Sequence, residues 1–526
     1  MALDVSSAAG TTLDRRGTLD VHSPGDGRLL DTVNEADQAV VESTVAALRR
    51  AQPEWERLGP RGRARYLARM RDWILDNEPH LLDLIQAEAG KVRQDAALET
   101  NGIADVMSYY LRRGAGFLRA HHPRPPGLLT LSKALTVTYR PYPVVGVIAP
   151  WNFPLLIPMG DSAPALMAGA AVVLKPSEFT PLTAVELGRG WQEIGAPDVF
   201  RVITGSGDTG AAVVENVDYV QFTGSAATGR RIGQRAGARL IPCSLELGGK
   251  DAMIVLDDAD LDRAVGGALW GGFFNTGQGC ASVERVYVQD GIYDRFVTAV
   301  VERTEQLRQG SDSVAGDREV GAMITRAQVE IVDAHIQDAV DKGARILTGG
   351  TSTPTSGNWS PPTVLVDVDH SMACMRDETF GPTLPIMRVR DADEAIELAN
   401  DSPYGLSASI WTKRRGYGER LARRLEVGAV NVNDVGANIL NPAIPMAGWR
   451  QSGLGYRFGG AGGLLRFCRV QSISAARLTP ATEIYWYPYS LARSQTAAKV
   501  LRFIVGRGRR RFQPPGRKTG IGEERT

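Results

Sequence analysis

A chain of 526 residues, 43% hydrophobic and 23% charged, is too long for one ordinary core and reads as two or three globular domains. Its formal net charge of +1 makes no overall electrostatic case for a nucleic-acid partner, and Cys243, Cys280, Cys374 and Cys468 are spaced too widely and irregularly for a disulfide framework or a metal-binding pair. The N-terminus carries Asp4, Asp14, Arg15 and Arg16 without an apolar run, and no later stretch is apolar for long enough to span a bilayer, so a reducing cytoplasm is the expected compartment.

From about Pro53 to Leu98 the chain is charged and helical in period, with Tyr66, Met70, Trp73 and Ile74 on one face. The run Val144 to Ala149 then predicts a buried parallel strand, followed by similar runs at Ala171 to Leu174, Val199 to Thr204, Tyr219 to Thr223 and Arg239 to Leu247. Helical segments near Asp161 to Gly169, Pro181 to Ile194, Asp208 to Glu215 and Ala226 to Ala236 alternate with them. The pattern predicts an α/β fold with a parallel sheet covered on both faces, and ligands in such sheets bind beyond the carboxyl ends of the strands. Asn152, Lys175, Gly205, Gly224 and Glu246 lie at or just after those ends. A second alternating region runs from about Gly248 to Met446. The glycine-rich stretch Gly448 to Gly455 predicts a structured loop, and the chain beyond about Pro480 changes composition.

Three residue types have chemistry to offer. Cys280 follows the glycines of Gly277-Gln278-Gly279, where backbone can approach a reacting atom closely; alone, a small core thiol is its plainer reading. Glu246, in Leu245-Glu246-Leu247-Gly248-Gly249-Lys250, is either a base facing a cleft or a solvated charge at a strand end. Asn152, in Pro150-Trp151-Asn152-Phe153-Pro154, offers an amide donor on a proline-stiffened turn. None of the six histidines is close to these segments, so neither a zinc site nor a Cys-His hydrolase is supported, and no metal is expected. Thr223 to Gly229 ends a strand and opens a helix, a weak phosphate signal by itself because it is not G-x-G-x-x-G. Lys175-Pro176-Ser177-Glu178 puts a cation and a carboxylate where ribose hydroxyls can be bound.

In order and spacing, Pro150 to Pro154, Lys175 to Glu178, Phe222 to Ser225, Leu245 to Lys250, Asn275 to Cys280 and Glu378-Thr379-Phe380-Gly381-Pro382 resemble the aldehyde dehydrogenase superfamily, over about residues 20 to 475. Glu88-Ala89-Gly90-Lys91, Val430 to Asn433 and the long basic C-terminal extension look most like the second type of actinobacterial succinic semialdehyde dehydrogenase. The resemblance implies a Rossmann-like cofactor domain (1–125 and 142–247), an α/β catalytic domain (248–447), a small oligomerisation arm (126–141 and 448–480) and a basic tail (481–526), assembled as a homodimer or homotetramer. It implies Cys280 as nucleophile, Glu246 as general base, and Asn152 with the Cys280 backbone N–H as oxyanion donors. For an NAD cofactor, with NADP as the alternative, it implies contacts from Trp151, Lys175, Ser177, Glu178, Gly224, Ser225, Leu247, Glu378 and Phe380. Glu178 favours NAD, because its carboxylate can bind a 2′-hydroxyl and repels a 2′-phosphate.

A thiolate attacking an aldehyde, hydride loss and water-dependent thioester hydrolysis need those residue types. A CoA-acylating dehydrogenase gains nothing from a water-activating glutamate, and a non-catalytic structural or binding protein has no use for the three residues together. For the substrate, the places where the succinic semialdehyde enzymes carry carboxylate-binding arginines hold Phe274 and Gly160 here. Phe153, Phe273 and Phe274 suggest an apolar wall, hence a medium-chain or aromatic aldehyde, whereas Arg450 is the candidate cation if succinic semialdehyde is the substrate instead. No acidic residue occurs between Ile484 and Gly522, where nine Lys and Arg residues fall. The plainer reading of this tail is a solvated basic extension; the sharper one is reversible contact with anionic membrane surfaces, with Ala497, Ala498, Leu501, Ile504 and Val505 on one helical face.

Overall fold

Five β-branched runs in the first half of the chain become the parallel strands β1 (Val144–Ile148), β2 (Ala171–Lys175), β3 (Phe200–Val202), β4 (Tyr219–Thr223) and β5 (Cys243–Glu246). The computed structural model describes residues 17–510 except 128, 129, 313, 315, 353–355 and 484, with side chains up to 503. The sheet order is β5-β4-β1-β2-β3, so the chain starts in the middle, winds to one edge, and returns to wind to the other. The crevice at that reversal lies beyond the ends of β1 and β4. Val144, Val145, Val147, Val172, Val173 and Leu174 are fully buried, as strands covered on both faces require. The last strand is shorter than its apolar run predicts: Leu240 projects into solvent with φ of 55°, and Pro242 has no N–H to give to a ladder.

The second alternating region forms a seven-stranded sheet from β6 (Asp251–Val255), β7 (Val283–Gln289), β8 (Arg345–Thr348), β9 (Thr363–Val366), β10 (Thr383–Val389), β11 (Ser407–Trp411) and β12 (Ala429–Val432), in the order β8-β9-β10-β7-β6-β11-β12. Only the β8–β9 pair is antiparallel. The glycine-rich loop returns to the first sheet: β13 (Gly453–Leu454) pairs antiparallel with β5, setting Gly453 opposite Glu246.

The helical N-terminal stretch is broken into Gln38–Arg57, Gly59–Asp76, Glu78–Ala89 and α1 (Arg93–Phe117). Proline near the start of the second and third ends the preceding helix in each case. Two further helices bear on the site, α2 (Leu156–Ala168) and α3 (Ala226–Ala238).

The chain divides into two compact units, 1–118 with 140–469, and 119–139 with 470–526. The second holds residues 133–139 and 470–476 of the two-stranded ribbon formed by Lys133–Pro141 and Cys468–Ala476; in it Lys133 forms an ion pair with Glu483 at 2.6 Å, and α4 (Leu491–Arg510) follows. Within the basic tail the helix runs from Leu491 to Arg510; residues 511–526 lie outside the described residues. No helix among the described residues is long and apolar enough to cross a membrane.

Candidate active site

Cys280 is presented by a strained piece of backbone. Asn275 and Thr276 both adopt left-handed conformations, with φ of 51° and 57°, and Gly277 continues at 69°. A Cβ on Gly277 would stand 2.2 Å from the carbonyl oxygen of Gly381, so glycine is required there. Such strain persists only where neighbours over-determine it. The Asn275 N–H donates to Asp95 at 2.9 Å, its amide donates to the Asn152 carbonyl at 3.1 Å, and Gln278 is tied to Asn275 and to the Ile324 N–H.

Behind this loop lies a buried charge network. Lys91 donates to Glu99 at 2.7 Å, and the other Glu99 oxygen accepts from the Leu155 and Leu156 N–H groups at 3.0 Å, where α2 begins. The Lys91 ammonium also sits 4.0 Å from the centre of the Phe153 ring. Burial pushes the Asp95 carboxyl up to about 7, against the lowering effect of the Asn275 N–H. The Glu88-to-Lys91 motif is therefore structural: Glu88 accepts from Leu182 and Thr183, and Lys91 holds Glu99. Asn431 and Asn433 likewise bond to Asn438 and Thr412.

Glu246, the last residue of β5, is buried, and neither carboxylate oxygen has a hydrogen-bond partner. Desolvation pushes its carboxyl up to about 8, opposed by Arg457 and Arg466. Desolvation likewise pushes the Cys280 thiol up to about 12, with Arg457 working the other way. In both groups burial thus favours the protonated form. The Asn152 side chain is buried, donates one amide hydrogen to the Gln278 carbonyl at 3.0 Å, and leaves its own oxygen unpaired.

Arg457 and Asp161 complete the centre, and sequence reasoning missed both. Asp161 accepts from Arg457 at 3.0 and 2.7 Å and from Arg466 at 3.1 Å, and Arg457 also donates to Thr223 at 2.5 Å. Burial disfavours the Arg457 charge, but Asp161 beside it more than offsets this and raises its pKa. Nothing in the sequence signals the pairing, because 296 residues separate the partners.

Cys280 opens into a pocket walled by Phe153, Trp270, Phe274, Val435, Ile439 and Phe458, with Arg457 also on its lining. Phe274 stacks on Phe153 at 6.0 Å and on Trp270 at 4.7 Å, making a ladder of three rings. Two expectations are corrected here. Phe273 is not part of this wall; its side chain belongs to the core under the second sheet, with Val265 and Val283. Arg450 is not on the pocket lining; it bonds to the Asn400 and Ser402 carbonyls and pairs with Glu426 at the surface.

Away from the thiol, Lys175 at the end of β2 contacts Glu178 at 3.2 Å, and the buried Ser177 Oγ accepts from the Phe179 N–H at 3.3 Å. Gly224 follows β4, and the exposed Ser225 caps α3 by accepting from the Thr228 N–H. The N-terminus of a 13-residue helix thus opens beside the strand ends, where backbone donors and the helix dipole suit a diphosphate. Trp151 meets Phe380 edge to face at 5.4 Å. Glu378 accepts from the Gly249 N–H at 3.0 Å; burial and the neighbouring Glu284 push it up to about 8. The Leu247 N–H donates to the Ser452 carbonyl, fixing the strand end beside Glu246. A lysine–glutamate pair for a ribose, an open helix N-terminus and an aromatic pair form a donor set that fits a dinucleotide.

A family model described as "Aldehyde dehydrogenase family" matches residues 12–473. A Mycobacterium ulcerans protein provisionally named succinate-semialdehyde dehydrogenase (NADP+) 2 is 40% identical over 479 residues, covering 90% of this chain and 92% of its own. The 4,4'-diapolycopene aldehyde oxidase of a Methylomonas species is 40% identical over 507 residues, covering 94% of each chain. The crystal structure of betaine aldehyde dehydrogenase from Staphylococcus aureus in complex with NAD+ superposes with a TM-score of 0.84 at 30% identity, covering 91% of this chain and 95% of that one.

Proposed function

The chain belongs to the aldehyde dehydrogenase family and is an NAD(P)-dependent oxidoreductase, and from that premise we propose that it oxidises apolar aldehydes, medium-chain or aromatic, through a thioester on Cys280 that Glu246 hydrolyses. The first sheet with the N-terminal helices (1–125 and 142–247) serves the cofactor, 248–447 the chemistry, and the arm residues 126–141 and 448–480 assembly as a homodimer or homotetramer. The bound nicotinamide supplies the hydride acceptor. Every other step belongs to this chain.

The Cys280 thiol gives up its proton to solvent, and its sulfur bonds to the aldehyde carbon while the carbonyl electrons move onto oxygen. The second Asn152 amide hydrogen and the Cys280 N–H hold that oxygen, the largest electrostatic contribution in acyl chemistry of this kind. As the carbonyl re-forms, the carbon loses hydride and a thioester remains. Glu246 then takes a proton from water, hydroxide adds to the thioester carbon, the carbon–sulfur bond breaks, and the carboxylic acid leaves with the thiol restored. A carboxyl held near 8 suits that task, since a general base works best with a pKa near the operating pH.

The observation that carries the substrate reading is the Phe153–Phe274–Trp270 ladder beside Cys280. Among the described residues the arginine on this wall is Arg457, whose Nε and Nη2 are engaged by Asp161, so its charge is already balanced before a substrate carboxylate arrives. The Methylomonas relative is named for 4,4'-diapolycopene aldehyde, a substrate name other than succinic semialdehyde. The succinate-semialdehyde name of the mycobacterial relative is the competing reading. Comparing kcat/KM for hexanal, benzaldehyde and succinic semialdehyde tests them. Each buried methylene is worth about 0.8 kcal/mol, roughly fourfold in kcat/KM, so butanal to hexanal should gain about an order of magnitude. A clear preference for the semialdehyde overturns the reading.

For the cofactor, Glu178 favours NAD over NADP.

A further inference from the structure

The second unit ends in a surface that globular proteins seldom leave uncovered. Four aromatic side chains are exposed within five residues, with Trp486 at 53%, Tyr487 at 78% and Tyr489 at 69% beside Tyr485. In α4, every described side chain except Ala497 is exposed, Leu491, Val500 and Leu501 among them. On the helix, Ala497, Ala498 and Leu501 share a face, with Lys499 on the opposite side and Arg502, one turn after Ala498, at its border. The sequence goes on with further apolar and basic residues, Ile504, Val505, Arg507, Arg509 and Arg510, whose side chains lie outside the described residues.

We propose that the exposed segment 485–503 docks this protein reversibly on the anionic surface of a lipid bilayer. Charge complementarity selects an anionic partner, because the stretch from Ile484 to Gly522 holds nine cations and no acid. The apolar components then select among anionic partners. Trp and Tyr partition to the headgroup level, and an amphipathic basic helix lies in that plane with its apolar face turned into the acyl boundary. A nucleic acid would engage the cations but leave Ala498, Val500 and Leu501 with nothing to bury against. Because no helix among the described residues is long and apolar enough to span, the attachment proposed is peripheral, and it is salt-sensitive, because exposed charges are screened beyond about 10 Å at 0.1 M salt.

The test is co-sedimentation of the full-length protein with vesicles of phosphatidylcholine alone or containing about a third phosphatidylglycerol. The bound fraction should be at least about tenfold larger with the anionic vesicles and should fall as salt is raised. Lys499→Glu with Arg502→Glu should abolish binding, and Trp486→Ser with Tyr487→Ser should weaken it several-fold, with melting midpoints unchanged to show that the body still folds. Binding that is absent, equal on neutral and anionic vesicles, or indifferent to charge reversal overturns the proposal. So does a change in the size of the protein in solution caused by either double variant, which would mark the surface as a contact between copies of this chain.

Discussion

Glu99 and Glu246 are both buried carboxylates beside the substrate pocket, and their surroundings are opposites. Glu99 has Lys91 at 2.7 Å and two backbone N–H groups at 3.0 Å, so its lone pairs are occupied and its charge is balanced. Glu246 has no partner for either oxygen and is pushed up to about 8. The first holds the start of α2 and, with Asp95 on Asn275, the loops that carry Asn152 and Cys280. The second is left poised to exchange a proton. An unsatisfied buried carboxylate is costly and persists where chemistry needs it, whereas a satisfied one is scaffold.

The largest effect that could break this contrast is at the nucleophile. Cys280→Ala should lower aldehyde-dependent NADH formation by more than about 10³-fold while cofactor binding, followed by fluorescence quenching, is kept. Residual turnover within tenfold of the parent would remove Cys280 from the mechanism.

On the scaffold side, Glu99→Ala strands Lys91 in the interior and should destabilise the fold by about 3–5 kcal/mol in urea unfolding. Glu99→Ala with Lys91→Met should recover much of that loss. If the single substitution costs under 1 kcal/mol, the network is not what holds these loops.

The pH dependence sharpens the other side. Because the folded pKa of Glu246, about 8, lies above its ordinary 4.5, its stability contribution is whole below about pH 4.5 and is lost as pH rises through about 8. Its activity runs the opposite way: steady turnover should rise with pH through about 8 and level off above, as the carboxylate forms. Glu246→Gln should flatten both profiles. A rate independent of pH between 6 and 9 in the parent, with thioester hydrolysis shown to be limiting, would place the base elsewhere.

The smallest expected effect is in cofactor choice. Glu178→Gln should shift the NADP-to-NAD ratio of kcat/KM several-fold toward NADP, since a like charge near the 2′-phosphate is removed. An unchanged ratio means that Glu178 does not face the ribose.

The same contrast explains what the sequence discloses. Runs such as Val144 to Ile148 are legible as strands because a strand buried on both faces must be apolar throughout, and Cys280, Glu246 and Asn152 stand in glycine- or proline-bearing motifs that mark turns. The partners that decide their chemistry are not local. Asp161 lies in a helix whose other residues are mostly apolar, and Arg457 comes 296 residues later, so only the fold brings them together. Arg450 is the candidate cation by sequence, yet its left-handed backbone, with φ of 51°, accompanies bonds to surface carbonyls. Phe273 and Phe274 are adjacent in sequence and divide between the core and the pocket wall, because the chain leaves its helix between them.

Rapid mixing of Glu246→Gln with hexanal and cofactor, with acid quench and mass spectrometry of the intact chain, addresses the division of labour between Cys280 and Glu246 most directly. The expected result is a pre-steady-state burst of NADH close to one per active site, steady turnover slowed by about 10²- to 10⁴-fold, and an acyl group trapped on Cys280. A variant that shows no burst and leaves Cys280 unmodified would contradict it, because Glu246 would then be needed before the thioester forms rather than after.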